Sequence, residues 1–275
     1  MKTILITGCS SGIGRALALE LRARGHTVWA TARRPETLQD LEARGIVAAT
    51  LDVDDAASIA ALAARLQAEG IVPDVLVNNA GYGAMGPLAE MPAEELRRQF
   101  DTNVLSLMAV TQALLPPMMR RRSGTVVNIG SVSGVLVTPF SGAYCATKAA
   151  VHALSDALRM ELAPFGIRVM TVQPGAIRSQ FGATATAGAG ERAAGPSAYA
   201  AVADAIMARA GASQQDSTSA EDFSRVLADA ILSPRPPALI RIGHGSRALP
   251  ALQRWIPTGL LDRALRRKFR LDQPL

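Results

Sequence analysis

Short apolar runs alternate with stretches of helical period along this chain. Residues 3–7 are apolar and β-branched, and Ile13, Leu17 and Leu21 follow at helical spacing over 13–24. A second β-branched run, 27–31, precedes a segment at 35–43 that opens on proline, which suits a first helical position. Residues 46–51 read as a strand. Ile59, Leu62 and Leu66 then share one face of a helix over 54–69, which ends at Gly70. Further strands are predicted at 75–77, 125–129 and 167–172, separated by long helical segments at 93–121 and 141–165. Strands that are apolar at every position, each followed by a helix, predict a parallel sheet buried on both faces. The predicted class is therefore α/β: a doubly wound, mostly parallel sheet with helices on both faces, one domain over 1–275. Ligands of such sheets sit in a crevice beyond the carboxyl ends of the strands.

The pattern changes after residue 178. Residues 179–220 are rich in Ala, Gly and Ser, with few large apolar side chains, and are expected to form a substrate lid. A helix at 221–232 and a strand at 238–242 follow. Within a C-terminal extension, 244–275, residues 248–271 interleave Leu, Trp255, Ile256 and Phe269 with arginines. That spacing predicts an amphipathic helix packed on the body; a membrane-surface helix is the alternative, and membrane association is not expected.

Composition narrows the classes. Of 275 residues, 49% are hydrophobic and 19% charged, which is a globular balance and not a disordered one. Two cysteines, Cys9 and Cys145, make no disulfide framework, which favours a reducing compartment. The opening apolar run is too short for a secretory core, and the charge-free stretch 123–147 is broken by Asn128, Pro139 and several Ser and Gly. A cytoplasmic location is expected. The net charge of +6 comes almost entirely from scattered arginines, and aromatics are only 4%, so no stacking platform for nucleic acid is predicted.

Two constellations carry chemistry. Thr7-Gly8-Cys9-Ser10-Ser11-Gly12-Ile13-Gly14 lies where the first strand enters the first helix. Glycines there permit a tight turn and let backbone amides approach a pyrophosphate. The spacing is G-x-x-x-G-x-G, not the G-x-G-x-x-G fingerprint. The same residues match G-x-S-x-G, the elbow of a serine hydrolase with Ser10 as nucleophile, although the first strand is the wrong place for it. The second constellation is Tyr144-x-x-x-Lys148, a phenol and an ammonium on one helical face. A cation beside a tyrosine favours the phenolate and brings its pKa towards the working range. Ser131 follows the strand at 125–129, at the ligand edge of the sheet.

In these motifs the chain resembles the short-chain dehydrogenase/reductase family, from residue 1 to about 180. The matching residues are Thr7-Gly8-x-x-x-Gly12-Ile13-Gly14, Leu51-Asp52-Val53, Asn78-Asn79-Ala80-Gly81, Asn103, Ser131, Tyr144-x-x-x-Lys148 and Pro174-Gly175. The glycine turn and Tyr-Cys-Ala-Thr-Lys look most like the hydroxysteroid and retinol dehydrogenase branch. The resemblance implies a Rossmann-type sheet and a nicotinamide cofactor, with Asn103, Ser131, Tyr144 and Lys148 as the catalytic set. Tyr144 would be the general acid or base, and Ser131 would hydrogen-bond the substrate oxygen. Lys148 would hold the ribose hydroxyls and lower the Tyr144 pKa, and Asn103 would place a proton-relaying water. Gly8, Ser10, Ser11, Gly12, Ile13 and Gly14 would cradle the pyrophosphate. Asp52 and Val53 would flank the adenine, with Asn79, Ala80 and Gly81 lining the cleft. Pro174, Gly175 and Ile177 would meet the nicotinamide, and Ser179, where the family usually has Thr, its carboxamide. A homodimer or homotetramer through the two long helices is likewise implied. A cofactor-binding regulatory protein without turnover is the alternative.

Charge argues for the cofactor type. An acidic residue after the second strand suits NAD(H), and a cation suits the 2′-phosphate of NADP(H). Here the strand runs into Ala32-Arg33-Arg34, with no carboxylate before Glu36, which predicts NADP(H) held chiefly by Arg33 and secondarily by Arg34. Tyr82, Met85, Val135, Leu136, Phe140 and Phe181 are expected near the cleft, so the substrate is predicted to be a small hydrophobic ketone, aldehyde or secondary alcohol. Arg178 is the one cation expected nearby.

Overall fold

In the computed structural model, which describes residues 1–193 and 196–274 without the side chains of 191–193, seven strands form one sheet. They are β1 (Thr3–Ile6), β2 (Thr27–Ala32), β3 (Val47–Thr50), β4 (Val75–Asn78), β5 (Gly124–Ile129), β6 (Ile167–Pro174) and β7 (Leu239–Ile242). Their spatial order is 3-2-1-4-5-6-7, and every pairing is parallel. The helices are α1 (Gly12–Ala23), α2 (Gln39–Glu42), α3 (Ala56–Ala68), α4 (Ala93–Phe100), α5 (Ser106–Arg121) and α6 (Gly142–Glu161), then α7 (Gln180–Ala193), α8 (Ala203–Gly211), α9 (Ala220–Leu232), α10 (Ala248–Trp255) and α11 (Thr258–Lys268).

The unbroken apolar strands are explained by two cores. In β1, Ile4 and Ile6 point into a layer with Leu17 and Leu21 of α1 and Phe223 and Leu227 of α9. Leu5, between them, points the other way, against Leu62 of α3 and Val110 and Leu114 of α5. β4 repeats this with Val75 and Val77 on one face and Leu76 on the other. A strand with alternate side chains buried on opposite faces has no polar positions left to alternate with. The result is the doubly wound, single-domain fold.

Strand order reverses between β1 and β4, and polar side chains tie the chain together there. Thr7 Oγ1 accepts from the amides of Asn79 and Ala80, both at 3.0 Å, and Asn79 Nδ2 donates to the carbonyls of Thr7 and Gly8 at 2.9 and 3.0 Å. Behind them, Asn78 Nδ2 donates to Asn128 Oδ1 of β5 at 2.9 Å and to Thr111 Oγ1 of α5 at 2.8 Å. Hydrogen bonds of this kind between buried groups fix the switch point in one arrangement.

Several elements differ from expectation. The segment at 35–43 is a 3₁₀ turn, Pro35–Leu38, running into the four-residue α2. The helix expected over 93–121 is α4 and α5 joined by a π turn, Asp101–Leu105. The segment 179–220, expected as a lid, carries helices α7 and α8, whose alanines bury by close approach where bulk is lacking; residues 194 and 195 lie outside the described residues. Ala185 and Ala189 are fully enclosed with Val202 and Ile206 in a cluster that includes Phe140 and Met85. The tail is two short helices, with Pro250, Leu261 and Phe269 buried and Trp255 76% exposed. No described helix is long and apolar enough to cross a membrane. Both cysteines are free and buried.

Candidate active site

A cavity of about 870 Å³ opens at the carboxyl ends of the strands, running from Arg33 past the glycine turn to Tyr144 and on to α8 and Phe269. Gly8 and Gly12 adopt φ of +72° and +57°, a region that disfavours side chains. A Cβ on Gly8 would also come within 2.9 Å of Ala80 Cα. Gly14 lies behind the turn, where a Cβ would strike the Gly8 carbonyl oxygen. Ser11 is the N-cap of α1, yet its side chain makes no capping bond. The first-turn amides therefore need acceptors from outside the helix, at the positive end of its dipole. Such a turn, lined by Gly8, Ser10, Ser11, Gly12 and Ile13, fits a pyrophosphate.

Further along, α6 presents Tyr144 and Lys148 to the same cavity, and Ser131 reaches it from the end of β5. Ser131 Oγ accepts the Ser133 amide at 3.0 Å, which leaves its own proton to donate, and it lies on the same cavity as the Tyr144 phenol. Burial pushes Tyr144 up to about 12; the nearby Ser131 hydroxyl and the charge of Arg209 oppose that rise. Lys148 Nζ donates to the Ile129 carbonyl at 2.8 Å, and burial pulls it down to about 8. The expected lowering of the phenol by Lys148 is thus not the dominant effect in this arrangement. Loss of water around the phenolate outweighs it, and the ammonium is itself desolvated.

Asn103 is fully buried in the π turn. Its Oδ1 accepts the Tyr82 amide at 3.0 Å, and its Nδ2 donates to the Tyr82 carbonyl at 2.8 Å and Thr147 Oγ1 at 3.1 Å. Thr147 in turn donates to the Tyr144 carbonyl at 2.8 Å, so Asn103 is tied to the helix bearing the tyrosine. A Cβ on Gly81 would meet Asn103 Oδ1 at 3.0 Å and Lys148 Nζ at 3.9 Å. Glycine there brings the two functional groups to either side of one backbone.

The family described as short chain dehydrogenase matches residues 2–190. The chain belongs to that family. Its members are oxidoreductases acting on the alcohol/carbonyl pair. The chain is 40% identical over 183 residues to the uncharacterized oxidoreductase YbbO of Escherichia coli K12, covering 66% of this chain and 67% of that one. It is 40% identical over 190 residues to human 17-beta-hydroxysteroid dehydrogenase type 1, covering 65% of this chain and 57% of the relative. A short-chain dehydrogenase from Streptomyces avermitilis superposes with TM-score 0.80 at 35% identity, covering 98% and 97% of the two chains. The closed form of serine dehydrogenase complexed with NADP+ gives 0.76 at 30% identity over 88% and 94%.

Within this short-chain dehydrogenase, Arg33, Val53, Asn79, Ala80, Gly81, Pro174, Gly175, Ile177 and Ser179 all line the cavity. Arg34 and Asp52 do not: Arg34 caps the turn at Pro35, and Asp52 Oδ1 accepts the Asp54 amide at 3.1 Å. Of the apolar residues expected near the cleft, Tyr82, Met85, Leu136 and Phe181 line it, with the Phe181 ring 5.2 Å from that of Tyr144. Val135 and Phe140 do not line it; Phe140 packs edge-on against Tyr199 and Phe269. Arg178 is exposed and outside it; the cation that faces the catalytic end is Arg209 of α8. His152, one helical turn beyond Lys148, also emerges: its Nε2 accepts the Ser131 amide at 3.4 Å. Burial and the nearby Lys148 charge pull it down to about 4, so it is neutral at neutral pH. Its i+4 spacing from Lys148 was the available sequence signal. Among the described residues, Ser10 has no hydrogen bond to a histidine, so no hydrolase relay is assembled there.

Proposed function

We propose that this protein is an NADP(H)-dependent oxidoreductase that interconverts a ketone or aldehyde carrying apolar surface with its alcohol, using Tyr144 as general acid and base. The observation that carries the reading is convergence. Ser131, Tyr144 and Lys148 share one cavity with the uncapped N-terminus of α1 and with Arg33. When bound, the nicotinamide cofactor supplies or accepts the hydride. In reduction, Tyr144 Oη, held protonated by its burial, gives its proton to the carbonyl oxygen. Ser131 donates a second hydrogen bond to that oxygen as charge develops, its hydroxyl oriented by the Ser133 amide. Lys148 holds the ribose hydroxyls, and Asn103 fixes the Gly81–Tyr82 backbone beside it. Phe181, Met85 and Leu136 exclude water from the reacting atoms. Arg33, exposed at the far end and unopposed by any acid at the end of β2, meets the 2′-phosphate.

The test is oxidation of NADPH against steroids, retinoids, aromatic ketones and medium-chain aldehydes, with Tyr144→Phe alongside. The variant should keep its NADPH affinity and lose about 10²–10⁴-fold in turnover. A Tyr144→Phe enzyme with undiminished turnover overturns the assignment. Absence of turnover in the native protein, with cofactor bound, favours the regulatory reading.

A further inference from the structure

Among the described residues, the guanidinium of Arg209 lines the cavity without a carboxylate partner. Its Nε donates to Thr138 Oγ1 at 2.6 Å, a neutral acceptor. Among the described residues it forms no ion pair, and its two terminal nitrogens have no protein acceptor. Arginine carries five donors in a planar fork, so most of its hydrogen-bonding capacity faces the cavity. It is close enough to Tyr144 for their charges to interact. The ammonium of Lys268, at the rim beside Phe269, lines the same end. Among the described residues, Asp216 is the carboxylate lining that end, and it pairs with neither cation. Met85, Leu136, Phe181 and Leu249 give the same cavity apolar walls. A half-buried cation without a counter-charge is costly, and a ligand anion repays that cost best through bidentate contact.

We propose that Arg209 is a specificity-determining residue that binds an anionic group of the substrate, so that the substrate is an amphiphile with an apolar body and a carboxylate near its carbonyl or alcohol. This rests on the oxidoreductase reading above and names the substrate class within it. Thr138 fixes the guanidinium plane through Nε, leaving the terminal pair to receive the two carboxylate oxygens. Desolvation lowers the Arg209 pKa, and a bound anion would reverse that shift.

The experiment compares keto acids of medium chain length with their methyl esters, in native enzyme, Arg209→Met and Arg209→Lys. The native enzyme should prefer the acid by at least about tenfold in kcat/KM, mainly through KM. Arg209→Met should bring the acid-to-ester ratio close to one, and Arg209→Lys should retain part of it. Equal use of acid and ester by the native enzyme overturns the proposal. So does an Arg209→Met loss of the same factor on both, which would mark Arg209 as a latch to Thr138 or an aid to Tyr144 ionisation. A calorimetric arm keeps the oxidoreductase reading separate. Octanoate should bind the NADP+-loaded protein at least about tenfold more tightly than octanamide, and Arg209→Met should abolish the difference. Octanoate selectivity without turnover of any ketone upholds the anion site and sinks the redox reading. Turnover without octanoate selectivity does the reverse.

Discussion

Lys148 Nζ lies 5.8 Å from the centre of the Tyr144 ring and spends a hydrogen bond on the Ile129 carbonyl at 2.8 Å. Burial acts on the two groups in opposite directions, raising the phenol to about 12 and lowering the ammonium to about 8. The lysine is charged below pH 8 and neutral above it, whereas the phenol stays protonated throughout that range. Reduction should therefore show a single alkaline limb in kcat/KM for NADPH near pH 8, set by Lys148 and not by Tyr144. Oxidation, which starts from the phenolate, should rise with pH. Lys148→Arg, slower in absolute rate, should lose the limb near 8; its persistence would point to another titrating group.

Arg33 is the cation at the adenosine end of the cavity. Arg33→Asp should raise the KM for NADPH by at least about tenfold while leaving that for NADH equal or lower, because the loss is confined to the phosphate. Steady-state kinetics with both cofactors decides it, and equal losses for both would remove Arg33 from phosphate recognition.

His152 reaches the Ser131 amide from α6, packed against Gly130 and Gly134. Burial and the charges of Lys148 and Arg241 lower its pKa from 6.5 to about 4, with Asp156 opposing. The unfolded chain takes up this proton below about pH 6.5 and the folded chain only near 4. Folding stability should thus fall by up to about 3 kcal/mol as pH drops through that window. Urea midpoints measured between pH 7 and 4.5 should be flatter in His152→Gln. The same variant should lower kcat more than it raises KM, since Ser131 loses a positioning bond.

Helices α7 and α8 close the cavity mainly with alanines, so they carry little buried apolar volume of their own. Elements of that kind open at low free-energy cost. We propose that 179–220 acts as the lid. Limited proteolysis should cut within α7 and α8 first, and saturating NADPH with substrate should slow that cleavage at least about threefold; unchanged cutting would argue against a coupled lid.

The sheet was legible because its central strands are buried on both faces, which leaves a largely apolar signature in β1, β4 and β5. The glycine turn and the Tyr144/Lys148 pair were legible because their chemistry depends on local spacing. The π turn at Asp101–Leu105 was not, since one extra residue per turn barely disturbs an apolar period. Arg209 was missed for a different reason: only the packing of α8 against Phe140 and Met85 brings it to Tyr144, and no local pattern records that approach. The phenol's raised pKa was equally hidden, because sequence shows the neighbouring charge and not the water that folding removes.

The residues proposed to move protons, from Asn103 to Lys148, precede α7, whereas Phe181, Arg209 and Phe269, which line the cavity, lie in α7 or after it. On the proposed reading, redox chemistry and substrate choice belong to successive stretches of one polypeptide that meet around one chamber, through contacts such as Arg209 with Thr138 and Phe269 with Phe140. Substitutions after residue 180 should then retune which alcohol is accepted while leaving the proposed proton path in place. Exchanging that C-terminal third between relatives is accordingly a direct route to new selectivity on an unchanged catalytic frame.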